Sequence, residues 1–326
     1  MILSTMAAAV TLCECFARDG LQHEPAFVPT ATKRALVERF AALGFRRVEA
    51  TSYSNPKVVP QFADASALLK ELQRNDAVFY KATCANVKAV ERALADLDAG
   101  HGANEISLLV SATEAHSQKN LNRSRAEQWR NIADMVAAAK GRFRLIGTVS
   151  VAFGCPFEGK VAEKSVVEDA ERFAALGVRH VALGDTIGAA TPRAVKDLTG
   201  KLPLPDVVAI AHFHDTRGTG LVNYVAAYET GVRHFDSSFG GVGGHPTKVK
   251  YGGGYTGNVC TEDLVNLFES MGIDTGIDLG GLLAAAEFCE QALGRELHGR
   301  VTRSGLHPAL RNRRQSPISN SGSDPD

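Results

Sequence analysis

The sequence alternates between segments typical of β-strands and segments typical of α-helices, eight times without interruption. The strand segments are short, apolar and rich in β-branched residues, and they span 10–16, 45–52, 77–83, 105–110, 143–152, 178–183, 207–214 and 232–237. The helical segments that follow them span 30–43, 63–73, 86–98, 125–139, 165–176, 192–202, 220–230 and 262–271. Eight such units over about 250 residues predict an α/β protein built as a closed (β/α)₈ barrel, the TIM-barrel fold. An open doubly wound sheet is the alternative, but no glycine-rich dinucleotide fingerprint follows the first strand.

The C-terminal part of the chain continues beyond the eighth unit. Residues 279–293 predict one additional helix. We predict a single barrel domain over residues 1–300 and a polar, disordered tail over residues 301–326. From about Arg311 the sequence has no apolar period, so we expect a solvated tail there rather than a polyanion-binding segment.

Composition excludes several classes of protein. Thirty-six basic residues balance thirty-six acidic ones, which argues against a general nucleic-acid-binding surface. No apolar stretch approaches the roughly eighteen residues of a membrane span, and 44% hydrophobic residues are enough for a sizeable core. The six cysteines are scattered, which favours reduced thiols over a disulfide framework. We therefore expect a cytoplasmic protein without nucleic-acid or membrane partners, and a homo-oligomer is compatible with the sequence.

Ionisable and metal-type residues follow five of the eight predicted strands. Arg18 and Asp19 come after the first strand, Glu49 lies near the end of the second, and Asp185 follows the sixth. Asp236 ends the eighth strand, and two histidines end the seventh. A single such residue means little, because turns favour Asp. Five occurrences at the carboxyl ends of barrel strands predict a functional site at that end.

The two histidines, His212 and His214, are two residues apart on the predicted seventh strand. Side chains at this spacing point to the same face of a strand, so both imidazoles can reach one metal ion. A pair of hydrogen-bonded core histidines explains the same pattern, and the motif alone does not separate the two interpretations.

Several motifs extend this pattern along the chain. They are RDGLQ at 18–22, VEATS at 48–52, NPKVVPQ at 55–61, GCPFEG at 154–159, LGDTIG at 183–188 and HFHDT at 212–216. With these motifs in this order, the chain resembles the 3-hydroxy-3-methylglutaryl-CoA (HMG-CoA) lyase family. That family belongs to a superfamily of metal-dependent barrels which also includes isopropylmalate synthases. The resemblance runs from about residue 10 to residue 293.

The resemblance implies a divalent cation held by Asp19, His212, His214 and Asn258. One carboxylate, two imidazoles and an amide oxygen would leave coordination positions open for substrate oxygens. Ligand chemistry alone also allows zinc or iron, and two histidines with one carboxylate are similar to the site of non-haem iron oxygenases. The family resemblance favours Mg²⁺ or Mn²⁺ as the cofactor.

The reaction that the resemblance implies is retro-Claisen cleavage of a branched 3-hydroxyacyl-CoA. A base removes the tertiary hydroxyl proton, the C2–C3 bond breaks, and a thioester enolate and a keto acid are formed. We expect Arg18 to stabilise the enolate oxygen, although a structural ion pair with Glu49 is an alternative role. Glu49 is expected to orient Arg18 or to take part in proton transfer. Asp185 is expected to support the metal site or to cap the helix that follows it.

The loop after the eighth strand departs from the family pattern. The family has a catalytic, proton-carrying Cys before a Pro in this glycine-rich loop, whereas this chain has His245 before Pro246. Imidazole transfers protons near neutral pH, so His245 is a candidate acid. The change equally fits a different substrate or reaction direction. Residues 252–254 are all glycine, which predicts a flexible lid, and a phosphate-binding loop is a weaker interpretation.

Three functional hypotheses follow for the chain as a whole. The preferred one is a metal-dependent carbon–carbon lyase that acts on HMG-CoA or a related branched 3-hydroxyacyl-CoA, with acyl-CoA as its partner. A Claisen- or aldol-type enzyme of the same superfamily on another substrate is the second. A non-catalytic barrel that binds acyl-CoA is the third, which the lost Cys supports and the retained Arg18 and metal-type residues oppose.

Overall fold

The computed structural model describes residues 9–203, 206–244 and 257–310, and its centre is a closed barrel of eight parallel strands. The strands are β1 Thr11–Glu14, β2 Arg47–Ser52, β3 Phe79–Cys84, β4 Glu105–Ser111, β5 Arg144–Ser150, β6 His180–Asp185, β7 Val208–Phe213 and β8 His234–Ser237. Each strand pairs with the next, and β8 closes on β1 through pairs such as Cys13 with Asp236. The predicted (β/α)₈ barrel is therefore confirmed, with strand ends shifted by at most two residues.

Helices surround the barrel, and those that precede β8 in the chain connect successive strands. They are α1 Thr30–Ala42, α2 Ala65–Glu71, α3 Val87–Asp98, α4 Glu114–Leu121, α5 Arg125–Ala139, α6 Glu163–Ala175, α7 Pro192–Thr199, α8 Gly220–Glu229, α9 Thr261–Ser270, α10 Leu279–Leu293 and α11 Arg300–Ser304. The start of α5 shows how local sequence sets a boundary. The Ser124 side chain accepts from the Glu127 N–H, and the Glu127 carboxylate accepts from the Ser124 N–H, which satisfies two amides at the helix end.

Two helices were not predicted from sequence. One is α4, whose sequence EAHSQKNL has almost no apolar period, so only its packing against α5 and β4 defines it as a helix. The other is α11, which lies inside the segment predicted to be a disordered tail.

The predicted tail boundary at residue 301 is wrong for residues 301–310. The carboxylate of Asp263 in α9 accepts from the backbone N–H groups of Arg300 and Val301, at 3.1 and 2.9 Å. Val301, Leu306 and Leu310 are buried against the rest of the protein. Apolar side chains that are too widely spaced to signal a helix therefore still anchor this segment. Residues 311–326 lie outside the described residues.

The inside of the barrel contains buried charges rather than only aliphatic side chains. Arg47 forms a salt bridge of 2.8 Å with Glu105 and one of 3.2 Å with Asp236, and all three side chains are inaccessible to solvent or nearly so. The apolar core lies mainly between the strands and the helices, where Phe40 stacks on Phe239. All six cysteines are free and buried. Among the described residues, no helix combines the length and apolarity needed to cross a membrane.

Candidate active site

Three of the predicted metal ligands meet at the carboxyl end of the barrel. Asp19 lies in a wide helical turn, Phe16–Gly20, directly after β1, while His212 is in β7 and His214 follows its last residue. One potential ligand atom from each residue lies within 4.8 Å of the other two. The two imidazole centroids are 5.4 Å apart. The histidines therefore share one face of the strand, as the sequence alternation predicted.

Asn258 completes the group because the chain returns to the barrel beside His214. Residues 214 and 258 form an isolated β-bridge, and the Asn258 amide donates to the Asp19 carboxylate at 2.6 Å. The Oδ1 atom of Asn258 is buried and has no hydrogen-bond partner among the described residues. A cation ligand would satisfy such an oxygen. The donor set of carboxylate, two imidazoles and amide oxygen thus fits a divalent cation.

The loop that contains Gly243 passes close to the side chains of Asn258 and Asp19. Gly243 has a φ of +112°, and a Cβ atom there would lie 2.5 Å from the Asn258 Nδ2 atom and 2.9 Å from the Asp19 Oδ2 atom. Any other residue at this position would be strained and would displace Asn258 or Asp19.

Neighbouring groups orient both imidazoles. The Nδ1 atom of His214 lies 2.9 Å from the carbonyl oxygen of Thr186, so this nitrogen carries the proton and Nε2 keeps its lone pair. The Nδ1 atom of His212 lies 3.4 Å from the Asp236 carboxylate. Histidines that bind metals usually have a carboxylate or carbonyl partner on the other ring nitrogen, which is the pattern found here.

The charges around the cluster affect the protonation of its members. Burial would raise the pKa of Asp19, but the charges of Arg18, His212 and His214 lower it to about 2. Burial and the charge of His212 lower the pKa of His214 to about 4. Burial would also lower the pKa of His212, yet the hydrogen bond and charge of Asp236 raise it. Near neutral pH, Asp19 is therefore an anion and His214 is neutral, as metal ligands must be.

Arg18 faces the same cavity and is held by two carboxylates. Its guanidinium lies 2.7 Å from Glu49 and 3.2 Å from Asp19, and it donates to the Gln22 side chain at 3.1 Å. The ion pair with Glu49, which the sequence left as an alternative role for Arg18, is thus present. It is compatible with an electrostatic role, because 15% of the Arg18 side chain is exposed in the cavity region.

Glu49 is fully buried and accepts from several donors. Its Oε1 atom lies 2.7 Å from Arg18, 2.9 Å from the Thr83 hydroxyl and 3.4 Å from the Lys81 ammonium. Burial would raise the pKa of Glu49, but the charges of Arg18 and Lys81 outweigh burial and lower it. Glu49 is therefore an ionised group that orients Arg18. A direct part in proton transfer stays a prediction.

Asp185 ends β6, and its carboxylate is used by the backbone. It accepts from the N–H groups of Ala189 and Ala190, at 2.7 and 3.0 Å. Burial raises the pKa of Asp185 to about 6. Ala189 and Ala190 precede α7, whose N-cap is Thr191, so Asp185 fixes the loop before the helix and the predicted capping of the helix itself is wrong. A catalytic role for Asp185 stays a prediction.

Lys81 and Arg47 are site residues that the sequence analysis did not select. The Lys81 ammonium lies 3.4 Å from Glu49 and 3.6 Å from Asp236, so it connects the carboxylate beside Arg18 with the carboxylate beside His212. Arg47 forms a second salt bridge with Asp236, at 3.2 Å. In the sequence, each could have been recognised as a basic residue within a largely buried strand, Arg47 in RVEATS and Lys81 in FYKATC.

Two neighbouring cavities open at this end of the barrel. The inner cavity, of about 90 Å³, is lined by Arg18, Asp19, Lys81, His212 and His214, among others. The outer cavity, of about 500 Å³, is lined by residues that include Asn258 and the basic side chains His23, Arg295, His298 and Arg300. His245 lies outside the described residues. Gly244, where the described chain stops before His245, lines the inner cavity, and Gly257, where it resumes, lines the outer one.

The fold and the site together define a (β/α)₈-barrel enzyme with a cation-type cluster at the carboxyl ends of its strands. A model of the HMGL-like family matches residues 9–289. The mitochondrial hydroxymethylglutaryl-CoA lyase of Rattus norvegicus is 39% identical over 305 residues, which are 93% of this chain and 91% of the rat protein. A hydroxymethylglutaryl-CoA lyase of Bacillus subtilis is 36% identical over 296 residues, 89% of this chain and 95% of that protein.

A solved structure gives the same result. The HMG-CoA lyase from Acinetobacter baumannii, in complex with coenzyme A and 3-methylmalate, aligns with a TM-score of 0.86 and 35% identity. The alignment covers 94% of this chain and 99% of that one. The chain therefore belongs to the HMGL-like family.

Proposed function

We propose that this protein is a divalent-metal-dependent carbon–carbon lyase that cleaves HMG-CoA to acetyl-CoA and acetoacetate. The observation that carries the proposal is the cluster of Asp19, His212 and His214, with Asn258 bound to Asp19 and Arg18 alongside. The relatives described above bear the same activity in their names. They give no support to the alternatives of another Claisen-type enzyme or a non-catalytic acyl-CoA-binding barrel.

The four candidate ligands would hold the cation on one side of the inner cavity. A divalent cation bound there supplies Lewis-acid stabilisation of negative charge on substrate oxygens. Mg²⁺ or Mn²⁺ suits a set that contains a carboxylate and an amide oxygen. Thr186 orients the imidazole of His214, and Asp236 orients that of His212, as second partners of metal-binding histidines usually do.

Arg18 is proposed to stabilise the negative charge of the thioester enolate. Because Glu49 fixes the guanidinium at 2.7 Å, the charge is preorganised and needs little rearrangement when the C2–C3 bond breaks. Loss of the tertiary hydroxyl proton and cleavage of that bond leave a ketone and an enolate. The enolate carbon C2 then takes a proton to give the methyl group of acetyl-CoA.

His245 is proposed as the acid that delivers this proton. It follows Gly244 in the sequence, and Gly244 lines the inner cavity. An imidazole is suited to proton transfer near neutral pH.

The outer cavity is proposed to receive the coenzyme A part of the substrate. Arg295 and Arg300 line it and can pair with phosphate groups, and the cavity adjoins the cation cluster at Asn258. The proposal includes a cytoplasmic location, and a homo-oligomer is compatible with it.

The decisive experiment is turnover of purified protein with HMG-CoA and Mg²⁺ or Mn²⁺, with acetyl-CoA and acetoacetate measured separately. Equal amounts of both products are expected, with activity lost in EDTA and restored by added metal. Turnover that is unaffected by EDTA, or the absence of both products with either metal, would reject the proposed function.

A further inference from the structure

A second group of ionisable side chains lies at the amino end of the barrel, at the opposite end from the candidate active site. It consists of residues that begin five of the eight strands: Arg47 in β2, Glu105 in β4, Arg144 in β5, His180 in β6 and His234 in β8. We refer to these five residues as the amino-end cluster. Such barrels bind their substrates at the carboxyl ends of the strands, so the cluster faces the other side of the molecule.

The side chains of the cluster point into the barrel. Side chains two residues apart on a strand share a face, and Asp236, which lines the inner cavity, comes two positions after His234. Arg144 faces inwards for the same reason, because Thr148 of β5 lines that cavity. Between the cluster and the inner cavity lies a small apolar layer, which consists of Ile146, Ala182 and Ile210.

The cluster is accessible from its own end of the barrel. Of the Arg144 side chain, 22% is exposed, and His180 and His234 are half-buried. Arg47 and Glu105 are inaccessible to solvent. A ligand that approaches this end would therefore meet Arg144 and the two imidazoles.

Charges of opposite sign alternate through the barrel from the candidate cation site to the amino-end cluster. Each member of this series lies 2.7 to 3.6 Å from the next, in the order Asp19, Arg18, Glu49, Lys81, Asp236, Arg47, Glu105 and Arg144. Every internal member contacts an opposite charge on each side. Among the described residues, Arg144 is paired with Glu105 alone, so the series ends at the cluster with a cation that has one partner.

The protonation of the two guanidinium groups reflects this difference in pairing. Burial would lower the pKa of Arg47, but the charges of Glu105 and Asp236 raise it. Burial also lowers the pKa of Arg144, and the charge of Glu105 does not offset this effect. Because arginine stays protonated in proteins, Arg144 is a cation with less negative charge around it than Arg47 has.

Two nitrogen atoms of the cluster are buried and have no hydrogen-bond partner among the described residues. They are Nη2 of Arg144 and Nδ1 of His234. The guanidinium of Arg144 is held in place by Glu105, 3.1 Å from Nε, and by the Phe79 ring, whose centre lies 4.4 Å from Cζ. Side chains that only close the end of a barrel would have their buried polar atoms paired. The two unpaired nitrogens indicate a ligand instead.

The imidazoles of His180 and His234 are arranged as neutral donors. Their ring centroids are 5.8 Å apart, and their planes are nearly perpendicular, at 89°. Burial lowers the pKa of both rings to about 4, and the charges of Arg144 and Arg47 contribute to this. Each ring is therefore neutral near neutral pH and has one N–H to donate. The same charges would repel a metal cation, and the groups of three potential metal ligands among the described residues lie elsewhere.

We propose that the amino-end cluster binds a free tetrahedral oxyanion, with inorganic phosphate as the ligand. Arg144 donates from Nη2, and His180 and His234 each donate one hydrogen bond from the ring. Donors on a guanidinium and on two perpendicular rings do not lie in one plane, which suits a tetrahedral anion better than a planar carboxylate. Partial burial of the cluster favours the free anion over a phosphate group on a larger carrier. This site goes beyond the lyase function and does not depend on it.

The test observes the imidazoles directly by nuclear magnetic resonance. The Mg²⁺-loaded protein is prepared with ¹³C-labelled histidine, and the signals of His180 and His234 are assigned with the variants His180→Gln and His234→Gln. Sodium phosphate and sodium chloride are titrated separately at equal ionic strength. We expect saturable shifts of both signals with phosphate, described by one common Kd, and none with chloride. Acetate and glycerol 3-phosphate should each bind several-fold more weakly than phosphate.

Arg144→Gln removes the guanidinium and should weaken phosphate binding at least about tenfold, as the loss of a charge-assisted hydrogen bond allows. Arg74→Gln is the matched control. Arg74 also stacks on a ring, that of Tyr80 at 4.6 Å, but it donates to the carbonyl oxygens of His101 and Gly102, at 3.3 and 2.8 Å. This control should bind phosphate like the parent. Unchanged signals of the remaining histidines show that each variant is folded.

Three results would overturn the site: no saturable shift with phosphate, equal shifts with chloride, or parent-like phosphate binding in Arg144→Gln. The cluster would then only close the end of the barrel. Acetate that binds as tightly as phosphate would refute the tetrahedral ligand, and glycerol 3-phosphate that binds as tightly would refute the free anion. Cleavage of HMG-CoA is measured separately, so failure of this site and failure of the proposed function are distinguishable.

Discussion

Arg18 provides the sharpest test of the proposed chemistry, because its two interpretations predict different measurements. Arg18→Gln removes the guanidinium that contacts Glu49 at 2.7 Å and Asp19 at 3.2 Å. Loss of one preorganised oxyanion donor typically lowers kcat by ~10²–10³, or about 2.7–4 kcal/mol of transition-state stabilisation. We expect a loss of this size in kcat, with little change in KM, because the charge that Arg18 stabilises develops only during bond cleavage.

The same substitution has a smaller effect on stability. Glu49 loses its closest partner but keeps Thr83 at 2.9 Å and Lys81 at 3.4 Å, so we expect a cost of about 1–3 kcal/mol. In the parent, Arg18 and Lys81 hold the pKa of Glu49 below its ordinary value. The stability that Glu49 contributes is therefore present at neutral pH and lost as pH falls through that lowered pKa. Without Arg18 the pKa rises, so acid unfolding of the variant should begin at a higher pH.

The assay is steady-state cleavage of HMG-CoA, with urea unfolding followed in parallel. Arg125→Gln is the matched control, because Arg125 forms an equally short pair of 2.7 Å with Asp169 but lines neither cavity. The control should lose stability and retain kcat. A near-normal kcat in Arg18→Gln, or parallel losses of kcat in both variants, would refute the electrostatic role and leave Arg18 as a structural residue.

Three further predictions concern the cation site, the buried lysine and the loop histidine. His212→Ala should abolish metal-dependent turnover and weaken Mn²⁺ binding, measured by calorimetry, without a large change in Tm. In the parent, Mn²⁺ affinity should fall as pH is lowered, because protons compete with the cation for His212, whose pKa is raised. Lys81→Met removes the ammonium that lies between the buried carboxylates of Glu49 and Asp236, so the free energy of unfolding in urea should fall by about 3–5 kcal/mol. A variant as stable as the parent would contradict this role of Lys81. His245→Ala should slow turnover and remove a pH–rate limb near 6–7, and His245→Cys should restore part of the activity; parent-like turnover in His245→Ala would show that His245 is only a loop residue.

Local sequence carried enough information for the barrel and for the end at which the site lies. Each predicted strand is followed by a helix long enough for a parallel crossover. The rules for such connections leave eight units only a few possible topologies, and the closed barrel is one of them. Period-two alternation placed His212 and His214 on one face, and the motif at residues 18–22 placed Asp19 after β1. These features depend on the spacing of residues that are close together in the chain, and this spacing can be read directly from the sequence.

Other features depended on which distant residues meet when the barrel closes. Arg47 pairs with Asp236 across 189 positions of sequence, and Lys81 lies between Asp236 and Glu49, so no local pattern could assign these partners. Burial of Val301, near the C-terminal end, likewise follows from the surface that α9 presents to it. The sequence by itself determined the fold and the position of the candidate metal ligands. Only the tertiary structure decided the charge partners, because their energies come from contacts between strands that are far apart in the chain.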